Sequence, residues 1–168
     1  MSYRFHGLVV ASFLALLSSA AQAACFADTP LTRPDERYQA VEGSNGGQVK
    51  DSQTGLVWQR CVLGQSWDGA ACTGNLTPQD WPTATKAAAA AKPWRLPTQA
   101  ELEGLIEKSC SKPALNNNWF GSGPMGWFWT ESDMGSPDGS VVINTENGLI
   151  ANLIKKLPLY VRWVRYPF

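Results

Sequence analysis

The chain has 168 residues, with 14 basic and 14 acidic side chains; 17% of its residues are charged, against roughly 25% in an average globular domain. That length suits one domain with a substantial core, and the even charge balance argues against a general polyanion or nucleic-acid binder. Its only histidine is His6, which falls in a leader segment, so the mature chain lacks serine–histidine and cysteine–histidine nucleophiles and histidine-ligated zinc.

The leader comes first. Arg4 and His6 precede the apolar run GLVVASFLALLSSA, which leads into Ala21-Gln22-Ala23. This is a basic n-region, a short h-region and a small-residue cleavage site. Roughly a dozen strongly apolar residues are short for a bilayer span. Residues 1–23 are therefore expected to be a cleaved signal peptide, and the product to be periplasmic, secreted or at the cell surface. An uncleaved anchor and a lipid anchor at Cys25 are the alternatives, although Gln22 stands where a lipobox carries an aliphatic residue. Residues 24–37 read as an N-terminal tail, and the domain proper as 38–168. Without Arg4 the mature chain carries 13 basic and 14 acidic residues.

Export makes the four cysteines a disulfide framework. Four cysteines allow three connectivities. Cys61 and Cys72 bracket the glycine-containing VLGQSWDGAA, so local closure is the simplest pairing, which leaves Cys25 to join Cys110. No CxxC pair supports a metal site.

Within the domain, turn chemistry at Gly46-Gly47 and Thr54-Gly55 predicts a hairpin of QVKD with LVW. In LTPQDWPTATKAAAAAK, Thr77 is expected to cap a helix with Pro78 at its first position. That helix should run to about Ala91, before Pro93. The stretch WRLPTQAELEGLIEKS follows. Leu96 precedes Pro97 and must be extended. Thr98 and Glu101 form a capping box, and Leu102, Leu105 and Ile106 share one helical face. Glu101 thus has a structural role, and Arg95 is expected to pair, at least half-buried, with a carboxylate or carbonyls. WFWTES is a strand with Trp127 and Trp129 on one face and Phe128 on the other. SVVINTENGLIANLI is a hairpin turning at Asn147-Gly148, and LYVRWVRY reads as a last, central strand.

The blocks DSQTGLVWQRC, WRLPTQAEL, WFWTES and the closing VRWVR resemble the Lcl C-terminal domain family, also known as domain of unknown function 1566. The likeness runs from about Tyr38 to Phe168, and WRLPTQAEL is its most specific part. Thr130-Glu131 replaces a usual small hydroxyl pair, and Trp163 stands where many relatives have a cysteine. The resemblance implies an α+β, C-type-lectin-like fold: two helices on a small, twisted, mainly antiparallel sheet, with a long variable loop. A similar block occurs in the sulfatase-modifying fold, but those enzymes need a reactive cysteine pair near the C-terminus. Here the last cysteine is Cys110.

The expected function is an exported, lectin-like binding or adhesion domain without catalytic activity, recognising a glycan or a cell-surface protein. A sulfatase-modifying-type enzyme and a purely structural envelope protein are the alternatives. Ligand contacts are expected from 116–139, where Trp119, Trp127 and Trp129 stand among glycines and amides, with Glu131 and Asp133 beside them. Glu131, Asp133 and Asp138 are the one set that suggests calcium, without EF-hand-like spacing; otherwise no cofactor is expected. Lys155 and Lys156, with Arg162 and Arg165, are candidates for a sulfated-glycan patch, although strand alternation sets the two arginines on opposite faces.

Overall fold

The computed structural model describes residues 23–120, 123–133 and 135–167, so the expected signal peptide lies outside the described residues apart from Ala23. The class is α+β, with short helices and small antiparallel sheets. The first predicted hairpin forms as β3 (Gln48–Asp51) against β4 (Val57–Gln59), with Val49 opposite Trp58. β2 (Tyr38–Ala40) extends it, and β11 (Val164–Arg165) completes the order β11-β4-β3-β2. A second sheet, ordered β10-β9-β8, joins β8 (Trp127–Trp129), β9 (Gly139–Asn144) and β10 (Ile150–Ile154). Its hairpin turns at Gly148, where φ is +77°, a conformation that glycine adopts without a Cβ penalty.

This second sheet is the wall between two cores. Phe128 and Ile143 on one face pack with Val49, Trp58, Leu102 and Phe120. Trp129 and Val142 on the other face pack with Ala84, Ala88, Leu96 and Trp163. The alternation predicted for WFW is therefore realised.

Both disulfides form as expected. Cys61–Cys72 encloses the two-stranded pair β5 (Ser66–Trp67) and β6 (Cys72–Thr73). Cys25–Cys110 joins β1 (Ala24–Cys25) to β7 (Cys110–Ser111). The segment after Cys25 is also held without the sulfur. The Glu107 carboxylate, buried itself, accepts the N–H groups of Thr32 at 2.6 Å and Arg33 at 2.7 Å and the Ser109 hydroxyl at 2.8 Å.

Three expectations need correction. Helix α1 is Trp81–Ala90, capped by Asp80 rather than Thr77, with Pro82 rather than Pro78 in its first turn. The Thr77 N–H donates to Leu63 O, and Gln79 exchanges two hydrogen bonds with Leu159, so 77–79 are held extended. The Asp80 carboxylate instead accepts the Thr83 N–H at 2.9 Å. Helix α2 has the capping box on Thr98 and Glu101 but spans only Gln99–Glu103. Leu105 and Ile106 are still buried, because the chain leaves the helix to bridge Ile106 with Leu115.

The last strand is also shorter than the apolar run suggests. Leu159 binds Gln79, Tyr160 binds Trp127 and Trp129, Val161 binds Leu63, and only Val164–Arg165 joins the β4 ladder. Val164 also bridges Arg95 on its other side, so the segment is central as a seam between elements. A further short helix, α3 (Asn117–Phe120), lies between β7 and β8.

Candidate ligand-binding site

Pro97 keeps Leu96 extended, and backbone bonds between Arg95 and Val164 (2.9 and 3.1 Å) fix the segment against β11. Leu96 enters the second core while Arg95 turns the other way. Its guanidinium meets the Glu101 carboxylate in two bonds of 2.7 and 2.6 Å, donates to Leu96 O at 3.0 Å, and lies 4.6 Å from the Tyr166 ring centre. The bond to Glu101 raises the Arg95 pKa above its usual value, against the opposing effect of burial. Burial pushes the Glu101 carboxyl upward, but its bonds from Arg95 and Thr98 outweigh this and leave it lowered.

Beside this pair lies a groove of about 510 Å³. Ala88 and Ala89 of α1, with Pro93 and Trp94, supply apolar lining; Lys92, Arg95 and Glu131 supply charge. Glu131 is held by its backbone N–H, which donates to Pro97 O at 2.8 Å. Its carboxylate is 43% exposed and stands 3.7 Å from Arg95, so it keeps acceptor capacity for a ligand. The arrangement suits a ligand with an apolar face and several hydroxyl groups.

The motif block that shapes this groove belongs to a longer pattern. The sequence model of the Lcl C-terminal domain matches residues 47–165, from ahead of β3 to the end of the closing VRWVR. The chain belongs to that family. No curated protein matches the chain significantly.

This Lcl C-terminal domain does not gather the sequence-predicted site residues in one place. Glu131 lines the groove. Trp129 is fully buried, and its indole N–H donates to Gln79 O at 2.8 Å; it is core, not a ligand platform. Trp127 is half-buried at the edge of the same core. Trp119 packs on the first core and lies 5.1 Å from the Arg60 guanidinium, which also stacks 3.6 Å over Trp67. Asp133 is exposed, and its side chain accepts the Gly135 N–H at 2.5 Å. Lys155 sits 4.7 Å over the Trp81 ring and donates to Pro137 O at 3.2 Å. With Lys156 it lines a separate hollow of about 500 Å³.

Among the described residues no three acidic, cysteine or histidine side chains gather as a metal site, so Glu131, Asp133 and Asp138 do not form a calcium cage. Arg162 and Arg165 are both buried, which removes them from a surface patch. Arg95, Thr98 and Glu101 hold the structural places expected of them. Lys92, Trp94 and Tyr166 were not singled out as site residues. Lys92 and Trp94 flank Pro93 at the head of the family block, and that adjacency was the available signal.

Proposed function

We propose that this Lcl C-terminal domain is an exported, C-type-lectin-like, non-catalytic binding domain whose groove beside Trp94 and Glu131 receives a glycan of a cell surface. The carrying observation is the Glu131 carboxylate: 43% exposed at the mouth of an apolar-lined groove, with only a 3.7 Å ion pair to Arg95. Sugar rings present apolar C–H patches together with hydroxyl donors, and this combination of lining matches them.

Other features support the reading. All four thiols are used in disulfides, so a reactive-cysteine chemistry of the sulfatase-modifying kind has no thiol in the oxidised chain. Two disulfides fit an oxidising compartment, as export through residues 1–23 would provide. The bond to Cys110 also uses the Cys25 sulfur that a lipid anchor would need.

The test is a glycan-array screen of the mature, oxidised protein, sulfated glycosaminoglycans included, with and without calcium. Binding should weaken at least about tenfold in Glu131→Ala, the equivalent of one lost hydrogen bond to a charged group, and persist in Asp133→Ala. A blank array, or binding indifferent to Glu131→Ala, would overturn the assignment of the groove.

A further inference from the structure

The three-stranded sheet ends on β10, and no described strand pairs with its outer edge. Asn144 N–H donates to Leu149 O and Lys155 N–H to Asp138 O, both at 2.8 Å, so the odd-numbered residues of β10 bond inward to β9. The N–H and C=O groups of Ile150 and Asn152, and the N–H of Ile154, therefore point away from the sheet. Ile154 O accepts Leu157 N–H at 3.1 Å, which leaves it a second lone pair.

The side chains along this edge are unusual for a free one. Ile150 is 40% exposed, Ile154 57% and the adjoining Leu149 58%. Ala151 and Leu153, between them, turn into the second core. Native edges of this kind are normally blunted by charge, proline or a covering element. Here Lys155 and Lys156 guard only the C-terminal end.

We propose that β10 pairs antiparallel with β10 of a second copy of this chain, about a two-fold axis through Asn152. Outward-bonding residues must face outward-bonding residues, and centring on Asn152 satisfies this for all three. Asn152 then opposes Asn152 of the partner copy, and Ile150 opposes Ile154. The edges exchange about six hydrogen bonds, and the two sheets become one. The choice of a second copy rests on self-complementarity: the exposed isoleucines stand two residues either side of Asn152, so one register covers both on both chains.

A contact this short is a weak, transient one, with an expected Kd of about 10–100 µM. Sedimentation of the mature, oxidised protein over ~10 µM to about 1 mM tests it. The expected result is a reversible monomer–dimer equilibrium. The double variant Ile150→Lys with Ile154→Lys places like charges opposite each other and should weaken the dimer more than tenfold. Ile150→Glu with Ile154→Lys places opposite charges there and should restore it. Both positions are exposed, and unchanged circular dichroism checks the fold. A wild-type chain monomeric at about 1 mM overturns the proposal and leaves the edge to a strand of another protein. A dimer that ignores the two variants also overturns it, since the contact then lies elsewhere.

Discussion

Arg95 and Glu101 face each other as a two-pronged pair, and one oxygen of that carboxylate does a second task. Oε2 accepts both Arg95 Nη1 at 2.7 Å and the Thr98 N–H at 2.8 Å, so the same group neutralises the arginine and closes the capping box. The block WRLPTQAEL is thus one unit: an arginine held extended by its bridge to Val164, a proline that keeps the intervening Leu96 extended, a cap, and a third helical residue that returns to both the arginine and the cap. Glu101→Gln keeps an acceptor for Thr98 but leaves Arg95 without its carboxylate, and should cost about 1–3 kcal/mol. Glu101→Ala also removes half of the capping box, adding about 1 kcal/mol. Urea unfolding of the oxidised variants measures both; equal losses would mean that the returning bond to Thr98 contributes nothing.

Acid should destabilise the protein through three carboxylates. Burial is the largest influence on Asp51, Glu101 and Glu107, and it works upward. The hydrogen bonds from Arg37 to Asp51, from Arg95 and Thr98 to Glu101, and from Ser109, Arg33 and Thr32 to Glu107 outweigh it, and all three end up lowered. With folded values below unfolded ones, the unfolded chain binds more protons between them, so stability rises with pH there. The contribution is complete above the ordinary carboxylate range of about 4 to 4.5 and is lost as pH falls through the lowered folded values. His6 is the only histidine and precedes the expected cleavage point, so thermal midpoints of the mature chain should be level from about pH 5.5 to 7. A step near pH 6.5 would contradict this.

Local chemistry was legible in the sequence, and assembly was not. The capping box on Thr98, the turns at Gly55 and Gly148 and the alternation of Trp127, Phe128 and Trp129 each depend on a few neighbouring residues, and each formed. Thr77 and Asp80 are both favoured cap types; the exchange between Gln79 and Leu159, eighty positions apart, decides between them. Arg162 reads as surface charge, yet it is buried between the rings of Phe120 and Phe128 and donates to the carbonyls of Gln59 and Arg60. Burial pushes its pKa down to about 10. The groove was hidden for the same reason, because Lys92–Leu96 meets Glu131 only after the second sheet has folded against α1.

The two disulfides should contribute unequally. Cys25–Cys110 spans 85 positions and Cys61–Cys72 spans 11. Loop-closure entropy assigns them about 4.5 and about 3 kcal/mol respectively. Serine at both Cys25 and Cys110 should therefore lower stability more than serine at both Cys61 and Cys72. The grip of Glu107 on Thr32 and Arg33 limits fraying of the tail in the first variant. Urea midpoints of the two double variants against the oxidised parent give the order, and the reverse order would show that loop length does not govern it.

Trp129 separates packing from recognition. Its side chain is fully buried between α1 and the C-terminal seam, and its indole bonds Gln79 O at 2.8 Å. Trp129→Ala removes that volume and takes from Gln79 O one of its two donors, the other being the Leu159 N–H at 3.0 Å, so it should cost about 3–5 kcal/mol. Trp129→Phe fills most of the space and loses chiefly one hydrogen bond to a carbonyl that keeps another donor, at about 0.5–1.5 kcal/mol. Trp127, half-buried at the rim, should cost less on truncation to alanine than Trp129 does. Urea unfolding with near-ultraviolet circular dichroism ranks the three. A lost ligand signal in Trp129→Ala would then report unfolding, while the same loss in Glu131→Ala, with the melting curve unchanged, would report a contact. Trp129→Ala folding with wild-type stability would contradict its place in the core.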